Sequence, residues 1–223
     1  MGTITDINAY KRTTHHKNRI YHNPYVIIML FILFFCSLLV MFKSFTDAPA
    51  TYALIAINGI VFGLIYFKKL FISILWTSYD LTLRKKEYYR LITSSFTHKE
   101  VWHILMNMAS LQNLGTVLEP FLGSKLFITA YVIIMLVGGV FSCLIHKLLN
   151  HNSNSIGASG ILCGLMGIYL VFVVRISGIA GLRSCALSLV FLVLMLFSKH
   201  IDNIGHFTGM LTGICFGCIL LLI

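Results

Sequence analysis

The sequence predicts an all-α protein, a polytopic membrane bundle of helices. Three observations carry that expectation. Apolar residues make up 58% of the chain, against roughly 45–50% in soluble domains. Mean hydropathy is +0.88. Only 11% of residues are charged, and they gather between apolar runs too long and too uniform for the alternating strands of a barrel. The net charge of +10 fits basic loops against anionic headgroups. No nucleic-acid motif accompanies it, so the lipid bilayer is the expected partner and nucleic acid is not.

Taken in order, residues 1–24 form a basic tail with Lys11, Arg12, Lys17 and Arg19. Residues 25–43 are apolar and long enough to span. Ala48-Pro49-Ala50 faintly resembles a cleavage site, but the run is long for a signal peptide and Lys43 and Asp47 intervene, so it reads as a retained helix. Thr51 to Phe67 is a second span. Residues 68–100 mix Leu70, Phe71, Ile74, Leu75 and Trp76 with seven lysines and arginines. No window there can cross, and the segment reads as interfacial. Further spans are expected at Val101–Leu118, Leu126–Leu149, Ile156–Val174, Leu182–Phe197 and Ile204–Ile223, seven helices in all. The six cysteines (36, 143, 163, 185, 215 and 218) fall in apolar runs, without metal or disulfide spacing.

Polar residues inside such spans are costly and usually functional. Ser159 opens an apolar run within Gly157-Ala158-Ser159-Gly160. Close helix packing alone explains small residues there, and a nucleophile on a crowded turn is the alternative. His103 and Asn107 lie four apart on one helix face. His206 sits beside Gly205 and ahead of Gly209-x-x-x-Gly213, a small-residue face suited to close packing. If it packs on the helix of Ser159, imidazole and hydroxyl form the minimum for nucleophilic catalysis. His103, Asn107 and the Ser159 N–H are then candidate oxyanion donors. Interhelical hydrogen bonding explains any one of these positions, but explains the set poorly. No metal site is expected, because His98 and His103 are five apart and Glu100 is misplaced for His-Glu-x-x-His.

These residues resemble the rhomboid family of intramembrane serine proteases, from about Ala48 to the C-terminus. The resemblance rests on Glu87–Ser94 around Arg90, His103-x-x-x-Asn107, Leu118-Glu119, Leu122-Gly123, Gly157-Ala158-Ser159-Gly160, and Asn203–His206 with Gly209 and Gly213. Their texture is most similar to rhomboids of Gram-positive bacteria. The resemblance implies a six-helix core over residues 48–223, with residues 25–43 an extra N-terminal helix. Ser159 would be the nucleophile and His206 the base, with His103, Asn107 and the Ser159 amide as the oxyanion hole. Arg90, Glu119, Gly157, Gly160, Gly164, Gly167, Gly205, Gly209 and Gly213 would be structural. Transmembrane proteins would be cleaved after a small residue, and no cofactor is implied.

Two positions depart from the family pattern. Cys163 stands where an aromatic ring usually covers the base histidine, so a looser His206 is expected. Tyr89 replaces the tryptophan of a Trp-Arg pair. With seven helices, the tail, residues 68–100, Lys147 and Lys199 share one side, against Lys43, Lys125, Arg175 and Arg183. The positive-inside rule then turns the active-site mouth to the cytoplasm, opposite to the usual bacterial arrangement. A bacterial plasma membrane and an organellar inner membrane are both open. Two other functions compete: an inactive rhomboid-like binder of transmembrane segments, and a small transporter relaying protons through His103 and His206. Ser159 and His206 speak against the first. The second lacks intramembrane acids other than Glu119 and Asp202, both expected to be peripheral.

Overall fold

The computed structural model describes residues 46–68, 75–150, 153–185 and 202–222. The tail 1–24, the expected helix 25–43 and most of the expected span 182–197 lie outside them. The described residues are helical, and their only pairing of extended chain is an isolated bridge between Thr77 and Ser155. The protein is an all-α membrane bundle. In chain order the helices are α1 (Pro49–Lys68), α2 (Arg90–Phe96), α3 (Val101–Leu122), α4 (Ser124–Leu148), α5 (Ser159–Ser177) and α6 (Asn203–Leu220). A π-helical turn covers Tyr79–Arg84, and a 3₁₀ segment, Ile179–Cys185, follows α5. Helices α1, α4, α5 and α6 are each long and apolar enough to cross a bilayer.

Helix α3 has 22 residues, about 33 Å at 1.5 Å per residue, but it is less apolar because it carries the polar positions inward. Its buried stripe runs Ile104, Asn107, Met108, Leu111, Leu114, Gly115, Leu118 and Glu119. That three-and-four spacing keeps one face against the bundle. Gly123, at φ 79°, turns the chain directly from α3 into α4. Within α4, Ile134–Gly138 is π-helical. This local register change is one that often marks functional regions.

Two expectations are corrected. The span expected to begin at Ile156 begins at Ser159, because Gly157 holds φ 105° and Ile156–Ala158 is not helical. Glu119 is not peripheral but is 1% exposed. Its carboxylate accepts hydrogen bonds from the N–H groups of Ala50 and Thr51 at 2.8 and 2.7 Å. It also accepts from the hydroxyls of Thr51 and Ser124, each at 2.7 Å. The first turn of α1 has N–H groups with no partner inside the helix, and in lipid no water replaces one. Glu119 supplies that partner and fastens the start of α1 to α3. Gly115, one turn earlier on α3, leaves the space that the Thr51 side chain fills.

Residues 75–100 contain no helix long and apolar enough to cross a bilayer. They fold around Arg90, which is 6% exposed. Its guanidinium donates to Glu87 at 2.5 Å and to the Trp76 carbonyl at 2.9 Å. Glu119→Ala is expected to orphan two buried N–H groups, at roughly 1–3 kcal/mol each. Thermal unfolding in detergent should show that loss, whereas Glu119→Gln, which keeps an acceptor, should lose clearly less.

Candidate active site

The most extensively packed helix pair is α5 against α6, and glycine is the reason. A Cβ on Gly160 would lie 3.2 Å from the Gly205 carbonyl oxygen, one on Gly164 2.8 Å from that of Gly209, and one on Gly167 2.6 Å from that of Met210. On α6, Gly209 and Gly213 face the backbones of Gly160 and Gly164 in turn. The two backbones therefore touch over two helical turns, and side chains at the near end of the pair are brought together.

At that end Ser159 begins α5, and His206 lies in the first turn of α6. Ser159 Oγ and His206 Nε2 are 2.7 Å apart. The imidazole is 4% exposed, and its Nδ1 has no hydrogen-bond partner among the described residues. Ser159 is half-buried and opens on a cavity that His206, Gly138, Gly157 and Asp202 also line. The π-helical part of α4 contributes Ile134, Met135 and Gly138 to its wall.

His103 and Asn107 reach the same turn from α3. A Cβ at Gly157 would stand 2.7 Å from the His103 ring and 3.6 Å from Asn107 Nδ2. A side chain there is excluded both by that ring and by the positive φ. Asn107 is 5% exposed, and its Nδ2 is an unpartnered donor among the described residues. The structure thus gathers Ser159, His206, His103 and Asn107 around one turn. Arg90 and Glu119 do not reach it, and act on the frame instead. Between frame and site, Arg90 fixes Trp76, Thr77 pairs with Ser155 through two backbone hydrogen bonds of 2.9 and 3.0 Å, and the Gly157 N–H donates to the Ser94 carbonyl at 2.8 Å.

The chain belongs to the rhomboid family. Its Rhomboid domain model matches residues 85–223. The chain is 33% identical over 185 residues to Rhomboid protein 1, mitochondrial, of Saccharomyces cerevisiae, covering 74% of this chain and 51% of that protein. It is 36% identical over 141 residues to RHOMBOID-like protein 6, mitochondrial, of Arabidopsis thaliana, covering 61% and 45%. With YdcA of Bacillus subtilis the identity is 30% over 148 residues, covering 63% and 73%. The rhomboid chain spans about half the length of the first two relatives.

Asp202 was expected to be peripheral, and this is corrected as well. Its Oδ1 accepts from the Gly205 N–H at 2.9 Å and lies 2.9 Å from His146 Nε2, while its Oδ2 accepts from the Ser155 hydroxyl. Burial raises this carboxyl, but the bonds from His146, Ser155 and Gly205 outweigh burial and hold it at about 2. An aspartate three residues before a small-residue helix turn is an N-cap signal and was open to sequence reading; His146 carried no such signal. His98 was also unassigned. It is fully buried, stacked edge-on at 4.9 Å from His103, and its Nε2 receives the Ala158 N–H at 3.4 Å. Burial, with the nearby His103, pushes it down to about 3.

Two expectations follow from the site. His98 is neutral when folded and free to protonate when unfolded. Its contribution is therefore complete above pH 6.5 and declines as pH falls from 6.5 towards 3. Across that window thermal stability should drop with up to one proton's slope, about 1.4 kcal/mol per pH unit, and His98→Gln should flatten the curve. Cys163 and His206 are both buried, at 5% and 4% exposed. A ring in place of the buried thiol needs room that its neighbours must yield. Cys163→Phe is expected to cost about 1–3 kcal/mol and to slow turnover, read by unfolding and activity together.

Proposed function

We propose that this rhomboid is an intramembrane serine endopeptidase acting on transmembrane segments of other membrane proteins, with Ser159 as nucleophile and His206 as general base. The observation that carries the reading is the 2.7 Å hydroxyl–imidazole pair on two glycine-packed helices. A purely structural serine at a helix start has no need of a buried imidazole on its Oγ.

In this reading the proton of His206 resides on Nδ1, so Nε2 accepts the Ser159 hydroxyl proton as Oγ attacks the scissile carbonyl carbon. The tetrahedral oxyanion meets the Ser159 N–H and the side chains of Asn107 and His103. The unpartnered Nδ2 of Asn107 supports that role, because a buried donor without an acceptor costs about 1–3 kcal/mol that an incoming oxyanion would recover. Collapse breaks the C–N bond, and the leaving amine takes the proton from Nε2. Water then repeats the sequence on the ester and frees Ser159. Preorganised donors of this kind are worth about 10²–10³ in rate. Gly160, Gly164, Gly167, Gly209 and Gly213 act through packing, Gly157 through its positive φ and its N–H bond to Ser94, and Gly205 through its N–H bond to Asp202.

The bilayer is partner and medium, and substrates are transmembrane proteins cut after a small residue. A bacterial plasma membrane is proposed from the texture of the sequence, with an organellar inner membrane as the competing setting; the names of two relatives, which say mitochondrial, favour an organelle. The extra helix over 25–43 and the basic tail 1–24 belong to the same proposal.

A fluorophosphonate should label Ser159, and cleavage of a model transmembrane substrate should stop in Ser159→Ala. Labelling should fall by at least about 10²-fold in His206→Ala. Wild-type protein that binds the substrate, neither cleaves it nor takes the label, would instead be an escort that holds transmembrane segments.

A further inference from the structure

Asp202 lies outside the hydroxyl–imidazole pair, yet its carboxylate touches both chain segments that carry the pair. On the α6 side it caps the helix through the Gly205 N–H at 2.9 Å, and its backbone carbonyl accepts the His206 N–H at 3.1 Å. On the α5 side its Oδ2 accepts the Ser155 hydroxyl, four residues before Ser159. Ser155 is the residue whose backbone pairs with Thr77. A third element enters through His146 in the last turn of α4, whose Nε2 lies 2.9 Å from Oδ1. His146 is 5% exposed, so its ring has few other positions to adopt. Asp202 is not a third catalytic group: its oxygens bond to His146, Ser155 and Gly205, and His206 Nδ1 is unpartnered among the described residues.

We infer that Asp202 is a positioning residue for the Ser159–His206 pair, with His146 as the group that orients its carboxylate. The inference rests on the serine protease reading given above. The reason is geometric. Glycine contacts fix the distance between the axes of α5 and α6, but they leave the helices free to slide or rotate slightly against each other. The hydroxyl and imidazole stand at the very start of each helix, where such movement is least restrained. One carboxylate joined to both starts, and to α4 behind them, removes that freedom. Misplacing a catalytic group by about 1 Å can cost on the order of 10²-fold in rate, so the effect belongs in turnover and not in substrate affinity.

The test uses the full-length protein in detergent or liposomes with a transmembrane substrate. Asp202→Asn keeps a helix cap but removes the charge that holds His146. It is expected to lower kcat by about 10- to 100-fold, with KM changed less than twofold. Fluorophosphonate labelling of Ser159, which needs no transmembrane substrate, should slow in parallel. His146→Leu should reproduce the loss. His146→Gln, whose amide can donate to the carboxylate, should recover most of the activity. The double variant Asp202→Asn with His146→Leu should be no slower than Asp202→Asn alone. Thermal unfolding of each protein accompanies the kinetics. Should Asp202→Asn fail to fold, the His146 pair decides: Leu slow and Gln fast at equal stability supports the inference, and equal rates overturn it. Wild-type kcat and labelling in a folded Asp202→Asn, or a loss confined to KM, also overturn it. Ser159→Ala runs beside them; residual cleavage in that variant would remove the protease reading itself, a result separate from any of these.

Discussion

Everything at the candidate site depends on two helix backbones being allowed to touch. Between lipid-exposed helices there is no hydrophobic gain on association, because acyl chains are as apolar as leucine, so contact must come from close fit and hydrogen bonding. Gly164 and Gly167 leave no room for a Cβ against Gly209 and Met210, and Gly160 lies close against Gly205. A helix pair held apart by larger side chains has its axes about 8–10 Å apart. The glycine contacts allow a closer approach, and at the near end of the pair Ser159 Oγ and His206 Nε2 lie 2.7 Å apart. His206 is buried at this end of the pair, at 4% exposed.

A second constraint is the satisfaction of polar groups where water is scarce. The protein meets it with acids placed at helix starts. Glu119 serves the first turn of α1, and Asp202 serves the first turn of α6. Each also binds a serine at the start of a neighbouring segment, Ser124 for the first and Ser155 for the second. Both therefore join elements distant in sequence while neutralising the positive end of a helix. Asn107 is left with an unused donor in the same surroundings, which is why it stands out as a group waiting for an acceptor.

The fold class and the candidate site were largely legible in the sequence. Long apolar runs reveal helices, and Ser159, His206, His103 and Asn107 stand out because polarity inside such runs is rare. Glu119 and Asp202 were misread as peripheral for a physical reason: hydropathy ranks a carboxylate by its own cost and cannot see the N–H groups that offset it. The start of α5 was placed three residues early, because the apolar Ile156 precedes a turn that only the positive φ of Gly157 reveals. The π-helical segment at Ile134–Gly138 was invisible, since it is defined by which carbonyl each N–H chooses and not by composition.

The bridge between Thr77 and Ser155 gives the stretch ahead of α2 a mechanical line to the candidate site. Thr77 belongs to the stretch that Arg90 holds through Trp76. Ser155 belongs to the loop that ends in Ser159, and Gly157 in that loop is itself tied to Ser94 of α2. A shift of that stretch would load the same few backbone bonds that lead to Ser159. Residues far apart in the sequence are thus coupled to the orientation of one hydroxyl through the chain itself, without any ligand.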